Sequence, residues 1–431
     1  MMAPDRIFTW RTVAMAWMLG GMMTDLWSQS DAALEAELTS EIRKPQATDP
    51  LRSESLSFLH PTESVLFGEE NLGPFLKDWH ALLLDQGPAT SAPLNLLHFG
   101  GSHVQAGRIG WAFRQRLQAD RPGLTVSRGI LPPHRLVGEN GPPGTGWDSP
   151  SEWRGQRSAH RRHSGQWGLT GLEASAEQGD TLRVWTGKPA GESCASSLML
   201  LTRPGHIGHW SVAGLERPFH ADSSGVLTVD LEGEDLPDTL LLIPPAGETA
   251  YVQGVAHPPM DPDLIYHDLG GNGASSAAWL RHPHLVPQLR EVGADLAILA
   301  WGINDAHMAP ERFNPQRFKQ RYARIIDSLR MACPDVCILL VTNNDSHYKH
   351  RHNPNAEAVK DVMLDLVIEK KVACWDLYEA LGGAHSMDQL YREGMAASDR
   401  LHFNRDGYIL IGELLYDTLT RAAVAHESLT E

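Results

Sequence analysis

Short apolar runs alternate with longer amphipathic stretches along much of the chain. The runs are Leu94–Gly100, Leu264–Gly270, Asp295–Gly302, Cys337–Asn343 and Val372–Tyr378. Each has the length of a strand that is buried on both faces, and apolar residues at helical spacing follow four of them. This alternation predicts an α/β domain with a doubly wound parallel sheet. In such a sheet, we expect a site at the carboxyl ends of the strands.

The interval between the first two runs has a different pattern. Residues 129–256 are rich in Gly, Pro and Ser, and turn signals separate short β-like segments about every ten residues. The pattern predicts an antiparallel β-sandwich domain at residues 129–257, inserted into the α/β domain. The α/β domain is then divided into residues 64–128 and residues 258–425.

The chain begins with a basic segment that is followed by an apolar one. Arg6 and Arg11 precede the uncharged stretch Thr12–Met23, which is too short to span a bilayer comfortably, and small residues follow. This order is typical of a secretory signal peptide, placed here at residues 1–30, and an ordinary N-terminal helix is the alternative. A signal peptide would direct the protein to a periplasm or outside the cell. Residues 31–63 are polar and predict a leader or loosely packed arm, and no later segment is apolar enough to cross a membrane.

The composition argues against several classes of function. The 431 residues are 42% hydrophobic and carry a formal net charge of −16, which argues against a nucleic-acid partner and against an anionic membrane surface. The four cysteines form no pair of CxxC motifs, so neither a structural zinc site nor a disulfide scaffold is predicted. We therefore expect free thiols at Cys194, Cys333, Cys337 and Cys374.

Polar residues and glycines cluster at the predicted strand ends. Ser102 follows the first strand in the segment GGS, Gly273 follows the second in GGNGASS, and Asn304 follows the third in WGINDAH. Asp399 and His402 stand in SDRLHFNRDG, before the last predicted helix. Ser102 alone could be the N-cap of the next helix, because Ser is a preferred N-cap residue. The occurrence of all four segments in this order favours a shared site.

These residues supply each group that acyl transfer through serine requires. Ser102 would be the nucleophile, His402 the base that takes its proton, and Asp399 the carboxylate that orients the imidazole. The backbone N–H groups of Ser102 and Gly273 and the side-chain amide of Asn304 are candidate donors to an oxyanion. Glycine at position 273 suits a backbone that closely approaches the substrate.

The four segments resemble those of the SGNH, or GDSL-type, hydrolase superfamily, which is named for its Ser, Gly, Asn and His. Ser102, Gly273 and Asn304 match the first three, and Asp399–His402 matches the DxxH block of the family. The resemblance implies the flavodoxin-like SGNH hydrolase fold for the α/β domain. The segment GSHVQAG, the long insert and the segment YHDLGGNGA are most similar to bacterial peptidoglycan O-acetylesterases, which carry a carbohydrate-binding-like β-sandwich at this place.

The sequence departs from the family at one position. The first segment of the family is usually GDS, and here Gly101 replaces the aspartate. That aspartate is neither nucleophile nor base, so hydrolysis is still expected, while a catalytically degenerate carbohydrate-binding protein stays an alternative. An α/β-hydrolase is disfavoured, because its GxSxG motif is absent around Ser102.

Further candidates for binding substrate stand beside the nucleophile and in the insert. His103 follows Ser102 directly and is either structural or faces the substrate. Arg161 and Arg162 form a basic cluster in the segment SAHRRHSG, and Trp153 is one of three tryptophans that flank it. Aromatic faces with nearby cations suit sugar stacking, and the alternatives are a solvated loop and a core tryptophan.

Together these features predict a periplasmic or secreted serine esterase. The resemblance implies that it removes O-acetyl groups from a polysaccharide, in the first place peptidoglycan. A lipase or thioesterase on the same fold is the alternative enzyme. The expected partners are acylated polysaccharides or small esters, without a nucleic acid and without a transmembrane span after signal removal. No metal or organic cofactor is implied, and the oligomeric state is left open.

Overall fold

The computed structural model describes most of the chain after residue 65. The described residues are 56, 58–59, 66–84, 92–176, 181–187, 197–205, 207–212, 215–221, 223–230, 239–243, 249–258 and 261–430. The predicted signal peptide at residues 1–30 lies outside the described residues, as do Cys194 and all but three residues of the predicted arm at 31–63.

Strands and helices both contribute to the described part of the chain. The strands are β1 (Leu66–Phe67), β2 (Leu94–Gly100), β3 (Val126–Arg128), β4 (Gly146–Asp148), β5 (Arg154–Arg157), β6 (Leu172–Ala176), β7 (Leu182–Trp185), β8 (Ser197–Leu201), β9 (Ile207–Val212), β10 (Leu215–His220), β11 (Val226–Asp230), β12 (Thr239–Ile243), β13 (Ala250–Val252), β14 (Gly254–Ala256), β15 (Leu264–Gly270), β16 (Leu296–Ala300), β17 (Cys337–Val341), β18 (His347–Tyr348), β19 (Arg351–His352) and β20 (Ala373–Trp375). The helices are α1 (Gly73–Leu83), α2 (Ser102–Gln105), α3 (Arg108–Asp120), α4 (Ser276–Trp279), α5 (Leu285–Val292), α6 (Ile303–Ala306), α7 (Pro315–Ala332), α8 (Asn355–Lys370), α9 (Leu377–Ala380), α10 (Ser386–Arg392) and α11 (Arg405–Thr430). Short 3-10 helices lie at Glu69–Leu72, Arg135–Val137 and Pro310–Arg312.

Within the described residues, the predicted α/β sheet has seven strands in the order β1-β20-β17-β16-β2-β15-β3. The pairs from β20 to β3 are parallel, as the alternation of apolar runs and helices predicts. The edge strand β1 pairs antiparallel with β20, so the sheet is mixed rather than wholly parallel. The sequence pattern could not indicate this strand, because it has only two residues.

Three neighbouring strands at the centre of this sheet end at the same level. Gly100, at the end of β2, pairs with Gly270 of β15 on one side and with Ala300 of β16 on the other. Neighbouring strands lie about 4.8 Å apart, so the loops that follow these three residues begin side by side. The register therefore brings the first three predicted site segments together.

Glycine at the end of β15 allows the chain after β2 to turn back over the sheet. Helix α2 follows β2 almost directly and crosses the end of β15. A Cβ on Gly270 would lie 2.1 Å from the backbone nitrogen of Gln105 in this helix. A backbone atom cannot move aside as a flexible side chain can, so a side chain at residue 270 would push α2 away from the sheet.

Aromatic side chains fill both faces of the sheet. On one face, the Phe99 ring of β2 lies 4.5 Å from Trp279 and 5.7 Å from Trp301, between ring centroids. On the opposite face, Tyr266 of β15 lies 5.1 Å from Phe113 of α3, and α11 packs on α3 and α1. Successive residues of a strand point to opposite faces, so these two sets of contacts fix how each central strand is oriented.

The insert consists of antiparallel strands. Its described strands form three sheets, with the orders β10-β9-β12-β7-β4, β11-β8-β14 and β13-β6-β5. Buried side chains of all three sheets belong to one hydrophobic cluster, which includes Trp147, Leu200, Leu240 and Val252. The strands agree with the sequence pattern, whereas a separate β-sandwich domain stays a prediction.

The insert and the α/β part share a second hydrophobic cluster. This cluster joins Ile130 and Leu201 to Phe99 and Trp279. Ser57–Glu431 form one compact unit. The boundaries predicted for the insert therefore stay a prediction.

Two smaller expectations concern the cysteines and the membrane. Cys333, Cys337 and Cys374 are free thiols, as predicted. Among the residues that the structure describes, no helix combines the length and the apolar character needed to cross a bilayer.

We predict that Gly270→Ala destabilises the protein and that Gly123→Ala does not. A Cβ at residue 270 must displace the backbone of α2, and overpacking of this kind costs about 1–3 kcal/mol. A Cβ on Gly123 meets no atom within 4 Å, so this variant is the matched control. Thermal unfolding of both variants and of the wild type measures the difference. Equal Tm values for all three proteins would contradict this account of the strand end.

Candidate active site

Ser102 is the first residue of α2 and follows β2 almost directly. Gly101 occupies the N-cap position of this helix, and no side chain caps it. The Ser102 hydroxyl lies 2.9 Å from Nε2 of His402. The interpretation of Ser102 as an N-cap is therefore wrong, because its hydroxyl is engaged with a distant segment of the chain.

His402 is placed by the loop before α11. Its Nδ1 lies 2.8 Å from Oδ2 of Asp399, and its Nε2 faces Ser102. The other carboxylate oxygen of Asp399 accepts the backbone N–H groups of Leu401 at 2.9 Å and of His402 at 3.0 Å. One short loop thus holds the carboxylate and the imidazole in a fixed relation.

The carboxylate of Asp399 is kept in its charged form. Burial alone would raise its pKa, but the hydrogen bonds from His402 and Leu401 outweigh burial and hold the pKa of Asp399 below its ordinary value. A charged carboxylate accepts a hydrogen bond from the Nδ1–H of a neutral imidazole, and this tautomer leaves Nε2 free to accept the hydrogen bond of the Ser102 hydroxyl. The serine proton can therefore pass to Nε2 of His402, and the charge of Asp399 stabilises the imidazolium that forms.

Gly273 lies in the turn after β15 and has a φ of +75°. The N–H of Ala274 donates to the carbonyl of Gly271 at 3.0 Å and closes the turn. A type II turn needs such a left-handed value at its third residue, which favours glycine. Gly273 is exposed, and its N–H has no hydrogen-bond acceptor among the described residues. This N–H is thus available to a ligand.

Asn304 lies in the short helix α6, after β16. Its side-chain amide donates to the carbonyl of Ala274 at 2.8 Å. The adjacent Asp305 is buried and accepts the backbone N–H of Ser276 at 2.9 Å and its hydroxyl at 2.6 Å. These bonds join the loops after β15 and β16. Sequence reasoning misses Ser276, because it stands in an ordinary GASS segment with no motif to mark it.

Gly101 lies where these loops meet. A Cβ at this residue would lie 2.6 Å from Nδ2 of Asn304 and 3.2 Å from the carbonyl oxygen of Ala274. An aspartate, which the resembling family carries here, would therefore displace the Asn304 amide from its present position. The glycine in GGS fits the position that Asn304 takes in this chain.

His103 turns its ring nitrogens into the protein. Its Nδ1 lies 2.9 Å from the Tyr408 hydroxyl, its Nε2 is buried, and its ring packs edge-on against His402 at 5.4 Å. Burial, and then the repulsion of a charged His402, lower the pKa of His103 to about 3. Of the two alternatives for His103, this placement favours the structural one, because the ring is bonded to Tyr408 and packs against His402, and a contact with substrate stays a prediction.

Trp153 is part of the core of the insert. Only 8% of its surface is exposed, and it packs in the same cluster as Trp147. Its indole N–H donates to the Ser149 hydroxyl at 3.1 Å. The expectation that Trp153 stacks on a sugar is corrected by this burial, which leaves too little of the ring open to a ligand.

Arg161 and Arg162 are exposed on a loop of the insert. Arg281, from the α/β part, donates to the carbonyl of Ser158 at 2.7 Å and to that of His163. The loop is thus fixed against the α/β part. A role of the two arginines in substrate binding stays a prediction.

The histidine-rich stretch after β17 forms pairs with single carboxylates. Nε2 of His347 lies 3.3 Å from Asp388, and Nε2 of His352 lies 3.1 Å from Asp345. Within the described ranges, no group of three or more His, Cys, Asp or Glu side chains is placed to hold a metal ion.

Comparisons with known proteins agree with this geometry. The model of the GDSL-like lipase/acylhydrolase family matches residues 244–410, a stretch that holds Gly273, Asn304, Asp399 and His402. Comparison with curated proteins gives no significant match. Among solved structures, the chain is similar to a peptidoglycan O-acetylesterase, with a TM-score of 0.71 and 20% identity, over 84% of this chain and 99% of that one.

Other similar structures overlap with smaller parts of the chain. An acetyl xylan esterase, AlAXEase, has a TM-score of 0.29 and 15% identity, over 36% of this chain and 79% of its own. A carbohydrate esterase of family 3 from Talaromyces cellulolyticus has a TM-score of 0.30 and 18% identity, over 38% of this chain and 74% of that one. The family match and the fold shared with the O-acetylesterase confirm the resemblance to the SGNH hydrolases, and they support a GDSL-type ester hydrolase domain that includes residues 244–410.

Proposed function

We propose that this chain is a serine esterase that removes O-acetyl groups from a polysaccharide, in the first place peptidoglycan, through Ser102, His402 and Asp399. The observation that carries the proposal is the row of two hydrogen bonds, 2.9 Å and 2.8 Å long, from the serine hydroxyl through the imidazole to the carboxylate. The row lies at the carboxyl ends of the strands, where open α/β sheets have their sites.

The reaction begins with attack of the Ser102 hydroxyl on the carbonyl carbon of the acetyl ester. His402 accepts the hydroxyl proton at Nε2, and the charge of Asp399 stabilises the imidazolium. The tetrahedral intermediate expels the sugar oxygen, which takes the proton from His402 and leaves as an alcohol. Water, deprotonated by His402 in the same way, then attacks acetyl-Ser102, releases acetate and restores the serine.

Three donors stand beside the reacting carbonyl. They are the N–H of Ser102 at the start of α2, the exposed N–H of Gly273 and the side-chain amide of Asn304. Donors aimed at a developing oxyanion lower the barrier by about 2.7–4 kcal/mol each. The Asn304 amide has two hydrogens, so it can donate to the oxyanion while it keeps its bond to Ala274.

The insert and the fold comparison support a polysaccharide substrate. The two predicted α/β segments make up little more than half of the chain, whereas the likeness to the peptidoglycan O-acetylesterase covers 84% of it and so extends into the insert. We take residues 129–257 to be a β-sandwich that helps to bind the polymer. An open cavity of about 360 Å³ in this region is lined by Arg135, Asn140 and Trp185, among others, and cationic, amide and aromatic groups together suit a sugar.

The location follows from the substrate and from the N-terminal sequence. Peptidoglycan lies outside the cytoplasm, and the segment at residues 1–30 has the pattern of a secretory signal. We therefore place the mature protein in a periplasm or outside the cell.

Replacement of Ser102 by alanine tests the proposed mechanism. Ser102→Ala is expected to lower kcat on p-nitrophenyl acetate by more than roughly 10⁴-fold, because the nucleophile is lost. A fluorophosphonate probe should label Ser102 in the wild type and should leave the variant unlabelled. Full activity in the variant, or labelling of another serine, would contradict the assignment.

The wild type also reveals the acyl group and the polymer. Among p-nitrophenyl esters, kcat/KM should be highest for acetate and should fall as the acyl chain lengthens, and O-acetylated peptidoglycan should be hydrolysed faster than acetylated xylan. Activity that rises with chain length would identify a lipase or thioesterase instead. The absence of both hydrolysis and labelling would identify a carbohydrate-binding protein.

We predict that Gly101→Ala impairs catalysis through Asn304. The added Cβ would displace the Asn304 amide, so kcat should fall by about 10- to 100-fold while KM and Tm change little. In an Asn304→Ala background, the same substitution should lower kcat little further, because the amide that it would displace is already absent. Gly123→Ala is the control for an added methyl group. An undiminished kcat in Gly101→Ala would show that Asn304 is not a donor.

The exposed arginines of the insert test its role in polymer binding. The double variant Arg161→Ala/Arg162→Ala should lower kcat/KM on O-acetylated peptidoglycan several-fold and should leave p-nitrophenyl acetate unaffected, because an acetyl group alone does not reach the insert. Arg290→Ala/Arg324→Ala removes two exposed arginines from α5 and α7 and is the charge-matched control. Equal losses on both substrates would rule out a role limited to the polymer.

A further inference from the structure

The insert reaches the turn that holds Gly273 through one buried carboxylate. Glu139 lies between the 3-10 helix Arg135–Val137 and β4, and its side chain is fully buried. Its backbone N–H donates to the carbonyl of His134 at 2.8 Å, and Gly138, with a φ of +75°, turns the chain just before it. The backbone around Glu139 is therefore closely constrained.

Both carboxylate oxygens of Glu139 have partners. Oε1 accepts the backbone N–H of Asn272 at 3.2 Å and Nη1 of Arg157 at 3.1 Å, and Oε2 lies 3.2 Å from Nδ1 of His134. Arg157 and His134 belong to the insert, whereas Asn272 belongs to the turn after β15. A buried carboxylate is costly unless it is hydrogen-bonded, so these contacts join Asn272 firmly to the insert.

The bond to Asn272 lies one peptide away from the proposed oxyanion donor. Asn272 and Gly273 are the two central residues of the turn Gly271–Ala274. Type I and type II turns differ mainly in the orientation of the central peptide, and this peptide carries the Gly273 N–H. The Asn272 N–H belongs to the peptide before the central one, so the Glu139 carboxylate fixes the place from which the central peptide and its Gly273 N–H extend.

Other contacts hold only the two ends of the turn. Its first residue donates to the carbonyl at the end of β2 at 3.3 Å, and its last residue accepts the Asn304 amide. Both central residues are exposed, and a Cβ on Gly273 would meet no atom within 4 Å. Among the residues that the structure describes, Glu139 is the one that holds the middle of the turn by a hydrogen bond.

We infer that Glu139 is a positioning residue for ester hydrolysis and that it orients the turn so that the Gly273 N–H faces the oxyanion. The inference rests on the proposed function, in which Gly273 is an oxyanion donor. The carboxylate of Glu139 acts through Asn272 and does not touch the substrate. The insert thereby contributes to the chemical step as well as to polymer binding.

Two conservative variants separate the hydrogen bond from the charge. Glu139→Gln keeps the length of the side chain, so its oxygen can still accept the Asn272 N–H and its amide can donate to His134 in the other tautomer. Glu139→Asp keeps the charge for Arg157, but it is one methylene shorter and no longer reaches Asn272. On p-nitrophenyl acetate, we expect kcat to fall roughly 10- to 100-fold in Glu139→Asp and less than about threefold in Glu139→Gln, with KM little changed.

If Glu139 only forms a structural ion pair, the kcat values of the two variants should fall in the opposite order. If Glu139 served only to neutralise Arg157, then Glu139→Asp would be the more active of the two. Arg157→Met is the matched control, because it removes the charged partner and leaves the bond to Asn272, and its kcat should stay within about twofold of the wild type. Each kcat is measured well below the Tm of that variant, so that loss of folded protein does not contribute.

Ser102→Ala, assayed in parallel, separates this inference from the proposed function. If Ser102→Ala is as active as the wild type, the serine mechanism fails and the inference fails with it. If Ser102→Ala is inactive while Glu139→Asp keeps the wild-type kcat or exceeds Glu139→Gln, the inference is overturned and the serine mechanism stands.

Discussion

The site depends on the register of three parallel strands. Gly100 ends β2 beside Gly270 of β15 and Ala300 of β16, so the next three loops leave the sheet at one level, about 4.8 Å apart. A slip of one residue would shift a loop and would also turn every side chain of its strand to the opposite face. The packing of Phe99 against Trp279 in the core opposes such a slip. The chemistry at the sheet edge therefore rests on apolar packing beneath it.

Apolar runs predict the interior strands because a strand that is buried on both faces is a continuous run of apolar residues. The five runs correspond to β2, β15, β16, β17 and β20. Their order in the sheet cannot be read from the sequence in this way, because an apolar run shows that a strand is buried and does not show which strand lies beside it. The sequence has a similar limit at Trp153. A tryptophan near a basic loop looks the same in the sequence whether its ring lies in the core or in solvent. His103 is similar, because only the fold brings Tyr408 to its ring.

Short motifs in the sequence mark the residues that carry chemistry, but they do not show which contacts orient those residues. Asp305 stands beside Asn304 in WGINDAH, and only the structure shows that it is buried; burial raises its pKa although Ser276 and Arg321 favour the charged form. It holds the loop of Asn304 against the neighbouring loop across 29 positions of the chain. Gly101 is a similar case, because its lack of a side chain has meaning only beside the Asn304 amide. The roles of both residues depend on contacts with residues that are distant in the sequence, so these roles can be recognised only in the structure.

The insert and the α/β part are joined both in the core and near the proposed site. Its residues Ile130 and Leu201 share a core cluster with Phe99, directly below the strand end that carries Ser102. Glu139 joins it to the turn of the α/β part by a hydrogen bond, and the same residue lines the cavity of about 360 Å³ in the insert. The surface proposed to bind the polymer and the turn proposed to stabilise the oxyanion thus have one side chain in common. Because that side chain is fully buried and bonded on both oxygens, a change on either side of it must be accommodated by the other.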